Sequence, residues 1–291
     1  MRPGQHRICL RGDCGERPPK VGGLPAIKKN RILLRPNGTV SFEAWMEVHK
    51  PDVVSADPAA LSVQRIAELS NFAKRVTCIL ASRYVERNAI FKLRYQAYLR
   101  AGLVSKNSFE RHIEPADHAA NAYLMGLYIE RRLVSSLRLQ IGSAATPNFL
   151  SLELFPHVLK PILRSDKTII DMSCVATDGE LARRYVLMPD VILRSWIVTA
   201  EHFHADYIAA AVRPQHQLFY KRVLDSELHS EVQLPPHHLT GVSLVILDFA
   251  SSAKRLYKNL PFLRSTPSER QQMFERDTML PKTTGLRPLF S

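Results

Sequence analysis

Thr168 to Ala176, read TIIDMSCVA, is an apolar run that carries a single acid, Asp171, and a single hydroxyl near its centre, Ser173. Its length and β-branched content suit a strand buried on both faces, so a sheet must be built around it. Runs of the same kind recur on either side. Val76–Val85 reads as a strand. Ala122–Ile129 and Leu133–Ile141 flank Glu130-Arg131-Arg132 as a hairpin with a charged turn. Asp206–Val212, Glu231–Leu234 and Val242–Phe249 complete the set. Between them lie helical stripes: Leu61, Ile66, Leu69 and Phe72 over 61–75, then Glu86–Ala101 stopping at Gly102. A short helix over Ser151–Leu163 is broken at Pro156 and Pro161. Pro189–Phe203 forms a further helix, and Pro214 opens the one that carries Phe219-Tyr220. The order β-α-β-β-(α)-β-α-β-α-β-β predicts an α/β fold, a mixed sheet with helices on both faces.

This folded part is expected over 61–250. Residues 1–60, rich in Pro, Gly and charge, read as a mostly irregular basic leader, and 251–291 as a loosely attached basic tail. Lys and Arg outnumber Asp and Glu by 13 to 7 before residue 76 and by 8 to 3 after residue 249, but only by 19 to 17 between them. The flanks therefore attract acidic partners, and nucleic acid, anionic membrane and an acidic carrier protein all qualify. No aromatic residues interleave with the flanking basics as in a nucleic-acid module, which argues against that partner. No run approaches the ~20 apolar residues of a transmembrane segment. The N-terminus lacks the apolar core of a secretory signal. Cys9 and Cys14 sit in the leader while Cys78 and Cys174 sit in apolar runs. Free thiols in a reducing cytoplasm fit that placement better than a zinc site.

Several side chains in the folded part could carry chemistry. Asp171 is costly to bury unless paired or solvated. It either faces a cleft as a general base or pairs with Arg94 or Arg138. Glu114 and Asp117, three apart in a polar loop, read alone as solvated acids capping the next strand. Cys174 fits a packing thiol better than a nucleophile, because an apolar strand raises thiol pKa and no histidine is placed to activate it. His202, His204, His216, His237 and His238 form no metal pattern, so no metal is expected. Tyr220 suits either a site or plain core packing.

Taken together, Arg94-x3-Tyr98, Glu114-x2-Asp117, Arg138 leaving the hairpin, and Asp171-x-Ser173 resemble the acyl-homoserine lactone synthases and the related N-acyl amino acid synthases of the GNAT acyltransferase superfamily. The resemblance runs from about residue 75 to about residue 250. It implies a GNAT-like mixed, splayed central sheet. It makes Asp171, Ser173 and Tyr220 catalytic, and it gathers Arg94, Tyr98, Glu114, Asp117 and Arg138 at the acceptor pocket, the four charged ones as an ion cluster. An Asp117→Ala chain would then fold but make no product. One position departs: the lactone synthases carry Glu-x-Ser-Arg where this chain has Asp171-Met172-Ser173-Cys174.

The stretch after that strand, Thr177–Tyr185, has one glycine and two acids, a poor cradle for a diphosphate. Arg183 and Arg184 instead suit the single phosphate of a phosphopantetheine arm or the surface of an acyl carrier protein. The expectation is a cytoplasmic acyltransferase with no resident cofactor. Its donor would be an acyl thioester on carrier phosphopantetheine, and its acceptor the amine of an amino acid or similar small metabolite. The missing arginine disfavours lactone formation from S-adenosylmethionine. A non-catalytic GNAT-like scaffold with basic flanks is the rival from another class.

Overall fold

The computed structural model describes residues 63–235 and 240–274. The leader through residue 60, with Cys9 and Cys14, lies outside the described residues, as do His237 and His238. The described chain runs α1 (Val63–Arg75), β1 (Thr77–Leu80), α2 (Tyr84–Ala101), a 3-10 turn (Pro115–His118), β2 (Ala122–Ile129) and β3 (Arg132–Gly142). It continues with α3 (Leu150–Leu154), α4 (Pro156–Arg164), β4 (Ile169–Thr177), α5 (Gly179–Arg184), α6 (Met188–His202) and β5 (Tyr207–Val212). It ends with α7 (Gln217–Leu224), β6 (Glu227–Gln233), β7 (Val242–Asp248), α8 (Phe249–Asn259) and α9 (Pro267–Phe274).

The strands form one seven-stranded sheet in the order β1-β2-β3-β4-β5-β7-β6. Only β4 and β5 run parallel. The expected mixed sheet is observed, with Thr168–Ala176 at its centre. Residues of β4 alternate between two cores, as a pleated strand requires. Ile170 and Met172 join Leu69, Trp196 and Leu256 on one face, and Ile169 joins Phe155 and Leu159 on the other. The β2–β3 hairpin closes on two residues, Glu130 and Arg131, both at positive φ (50° and 67°). That turn matches the twist of the strands it joins.

Helix α2 places the site. Glu86 caps its start by accepting from Arg83 N–H (3.1 Å) and Arg83 Nε (2.9 Å), and Gly102, at φ 70°, ends it by donating to the Leu99 and Tyr98 carbonyls. Its buried stripe is Ile90, Leu93, Arg94, Ala97 and Tyr98. The Arg-x3-Tyr spacing therefore puts both polar residues on the face turned to the sheet.

Four expectations change. The strand expected over Glu231–Leu234 is β6, which begins four residues earlier at Glu227 and ends at Gln233. The run from Val76 is a strand only to Leu80, and Tyr84 and Val85 already belong to α2, where both are exposed. Pro156 opens α4, but Pro161 lies within α4 and does not break it. The chain after Ala250 is not loosely attached as far as residue 274. α8 begins directly after β7, with Asp248 capping it through Ser251 N–H (3.0 Å). Leu256, Phe262, Leu263 and Met273 are buried in the main core. Arg194 of α6 ties the segment down by donating to the carbonyls of Phe262 (2.7 Å) and Arg264 (2.7 Å) and by pairing with Glu269. A few apolar anchors among many basic residues, Leu260 with them, suffice here, and a composition reading averages them away.

Candidate active site

β4 and β5 pair only from Ile169–Tyr207 to Asp171–Ala209. Beyond that point they part, and a cavity occupies the opening. Its walls include Met172 to Val175 of β4, Ala210 to Val212 of β5, and Leu103, Leu150 and Val242. Tyr98, Ser173, Arg213, His216, Tyr220 and Thr240 bring polar side chains to a lining that is otherwise mostly apolar. Backbone groups of the parted strand segments do not bond each other, which makes them available to a guest.

One side of the cavity rests on the ion cluster. Asp117 Oδ1 accepts from Arg94 Nη1 (2.7 Å) and Arg138 Nη1 (3.1 Å), and all three side chains are fully buried. Arg138 Nη1 also reaches Glu114 Oε2 (2.8 Å), and the His112 ring meets Glu114 Oε1 (3.0 Å). Glu114 and Asp117 frame the 3-10 turn: the Asp117 carboxylate accepts from Glu114 N–H (2.8 Å), and Asp117 N–H donates to the Glu114 carbonyl (2.9 Å). Burial would raise the Asp117 carboxyl, but the two guanidiniums outweigh it and hold it below the usual carboxylate range. The four charged residues expected as a cluster therefore meet. The reading of Glu114 and Asp117 as solvated loop acids does not hold, since Asp117 is 1% exposed.

Arg138 Nε donates to Ser173 Oγ (3.0 Å), which leaves the hydroxyl proton of Ser173 to donate toward the cavity. The β3–β4 register shifts between Ser136, opposite Ala176, and Arg138, opposite Ser173, so β4 carries one extra residue there. Cys174 sits in that bulge at φ 52°, a left-handed conformation that costs a non-glycine residue about 1 kcal/mol or more. Its thiol donates to Glu114 Oε2 (3.4 Å). Burial, against the pull of Arg138 and Arg94, pushes it up to about 12, so it stays a neutral thiol.

Among the described residues, Asp171 is not part of this cavity's lining and forms no ion pair with Arg94 or Arg138. It is 0% exposed and lies on the same face as Ser173, two residues earlier on β4. Burial raises its carboxyl to about 6, against the opposing pull of Ser151 and Arg138.

On the far side, Tyr220 is buried on the wall with its ring edge-on to Trp196 (centroids 6.2 Å). His216, a turn earlier, contacts Arg213 Nη2 through Nε2 (3.3 Å). Burial, then the Arg213 charge, lowers His216 to about 4, so it is neutral at pH 7. Its Nε2 accepts from Arg213, which leaves Nδ1 to carry the proton.

Arg183 and Arg184 lie exposed at the end of α5 rather than on the wall. At the start of α5, Asp178 accepts from the N–H groups of Glu180 (3.0 Å) and Leu181 (3.0 Å). A carboxylate thus already sits where a diphosphate would be cradled. Among the described residues, no group of three or more His, Cys, Asp or Glu is arranged to hold a metal. Nor is any helix there long and apolar enough to cross a membrane. Sequence reading gave no role to His112, Gln140, Ser151, Arg213 or His216. Only the Arg213-Pro214 step at the end of β5 offered a signal.

A family model described as N-acyl amino acid synthase FeeM matches residues 89–248. Among solved structures, FeeM, an N-acyl amino acid synthase from uncultured soil microbes, shares 16% identity over 60% of this chain and 93% of its own, with a TM-score of 0.50. At that identity the likeness speaks for the fold. TofI, solved in a ternary complex with an inhibitor and MTA, shares 13% over 67% of this chain and 99% of its own, with a TM-score of 0.47. The CoA-dependent acyl-homoserine lactone synthase BjaI shares 13% over 68% and 98%, with a TM-score of 0.45. No curated protein is similar enough to count as a match.

Proposed function

Because the chain belongs to the N-acyl amino acid synthase FeeM family and is an acyltransferase, we propose that it moves a fatty acyl chain from an acyl carrier protein thioester to the amine of an amino acid. The observation that carries this reading is the apolar opening between β4 and β5, which has Ser173 on one wall and Tyr220 on the other. An acyl chain fits such a lining, and the thioester carbonyl would lie against the parted strand. The amine attacks that carbonyl, a C–N bond forms and the C–S bond breaks. The Ser173 hydroxyl and the free N–H groups of β4 stabilise the oxyanion. Asp171, which does not itself line the cavity, takes the amine proton through a bridging water, and Tyr220 gives its phenolic proton to the departing thiolate.

Two features support the choice of substrates. Among the described residues, Arg213 is the one arginine or lysine in the cavity wall. Oriented by His216, it suits an acceptor that brings a carboxylate. Arg213→Met should therefore raise KM for the amino acid by roughly 10- to 100-fold with kcat little changed, the span of a lost charge-assisted hydrogen bond. Steady-state kinetics would show it, and the decarboxylated amine should be indifferent to the change. Equal losses with both acceptors would place the carboxylate elsewhere.

The Asp178 cap on α5 supports the donor choice, because it opposes a diphosphate while the exposed Arg183 and Arg184 suit a carrier surface. With one acyl chain presented on both donors, the carrier thioester should give the faster steady-state rate. Equal or better use of acyl-CoA would overturn the carrier assignment. Mass spectrometry of lipid extracts from cells making the protein tests the product itself, an N-acyl amino acid.

A further inference from the structure

The β3–β4 register sets Gln140 directly opposite Asp171, so the two side chains stand next to each other on one face of the sheet. Both are buried, at 1% and 0% exposed. Gln140 Nε2 donates to the Asn148 carbonyl (2.9 Å), which also accepts from Asn121 Nδ2 (3.0 Å). A carbonyl can only accept, so it fixes the amide with nitrogen toward Asn148 and Oε1 turned away. Gln140 Oε1 has no hydrogen-bond partner, and neither has either carboxyl oxygen of Asp171. Unpartnered acceptors on neighbouring side chains in a dry interior are unfavourable until one of them carries a proton.

A third buried group completes the set. Ser151 of α3 is fully buried, and its hydroxyl forms no hydrogen bond of good geometry. Its hydroxyl and backbone N–H nevertheless act on Asp171 in the sense that favours the carboxylate. Of the other charges that act on Asp171, Arg138 of β3 favours the charged form and Glu153 of α3 opposes it, while β5 pairs Ala209 with Asp171.

We propose that Gln140 and Ser151 are positioning residues that hold the two protonation states of Asp171 in turn. Ser151 donates to the carboxylate that awaits the proton of the attacking amine. Gln140 Oε1 accepts from the carboxylic acid once that proton has arrived. The amine loses one proton as the C–N bond forms, Asp171 gains it, and solvent takes it when the site resets. This assignment rests on the acyltransfer reading above, yet it concerns a proton that can be followed without any substrate.

The test uses the full chain and the variants Gln140→Met and Ser151→Ala. The Asp171 carboxyl is titrated by infrared difference spectroscopy, with Asp171→Asn identifying its band, and the acidic limb of the pH–rate profile is measured beside it. Losing the acceptor of the acid form should lower the midpoint in Gln140→Met. Losing the donor to the carboxylate should raise it in Ser151→Ala, each by about one pH unit. A packing role alone moves stability without sending the two midpoints in opposite directions. Gln140→Glu is the further variant should Gln140→Met not fold, and a second carboxyl opposite Asp171 should raise the midpoint. Midpoints that stay put, or that move together in Gln140→Met and Ser151→Ala, overturn the proposal. Opposed shifts in a chain that transfers no acyl group would uphold these roles at Asp171 and refute the acyltransfer reading instead.

Discussion

Asp171→Asn is expected to lose turnover by at least about a hundredfold, the usual cost of removing a general base, and at the same time to make the fold more stable. The two effects have one cause. Burial raises the Asp171 carboxyl from 3.8 to about 6. Above pH 6 the folded chain therefore holds a charge that the unfolded chain would leave in water. A shift of that size costs roughly 3 kcal/mol at most. The cost is present in full above pH 6 and disappears as the pH falls through the folded value toward 4. Asparagine removes the charge and supplies an N–H to face Gln140 Oε1 and an oxygen to face Ser151. Thermal unfolding should show the variant ahead of the wild type by several degrees at pH 8, with the gap closing near pH 4. Acyl transfer at the wild-type rate would put the base elsewhere, and equal stability at pH 8 would mean that Asp171 is not charged in the resting fold. A group retained despite such a cost is the kind of residue expected at an active site.

Much of this arrangement was legible in the residues because it is local. Arg94 and Tyr98 share a helix face through the 3.6-residue period, and Glu114 and Asp117 meet because a three-residue spacing closes a 3-10 turn. The order of strands and helices along the chain followed from apolar runs separated by helical stripes. What stayed hidden depends on register and on distant chain. Gln140 faces Asp171 only because β3 and β4 pair in one register, and the extra residue at Cys174 shifts that register without a glycine to announce it. Arg213 and His216 reach the cavity because β4 and β5 part after Asp171, and no spacing in either strand records where two strands separate. The segment after Ala250 looked unattached because its anchors find their partners on α6, more than sixty residues away in sequence.

Asp117→Ala is expected to unfold the chain or bring it close to unfolding. The family resemblance implies a residue that shapes the acceptor pocket while the core stands without it, and burial reverses that. The Asp117 carboxylate takes bonds from Arg94, Arg138 and the backbone of Glu114, and the side chains of both arginines are fully buried. Its removal leaves two guanidiniums in the interior with Glu114 as the one remaining carboxylate in their ion pairs among the described residues. Stranding buried charge in this way costs about 3–5 kcal/mol, a large share of the 5–15 kcal/mol that holds a typical domain together. The pH dependence has the opposite sign to that of Asp171. Asp117 titrates below its ordinary value in the fold, so its contribution is present above about pH 4 and is lost as the pH falls further. Urea unfolding of Asp117→Ala at pH 7 should give a midpoint far below the wild type or no cooperative transition at all. Replacing Arg94 by Met in the same chain removes one stranded charge and should recover part of the loss, a coupling that a pocket residue with no structural role would not show. Unfolding within about 1 kcal/mol of the wild type would overturn the structural assignment, and a loss of product in that variant would then report on the acceptor pocket rather than on the fold.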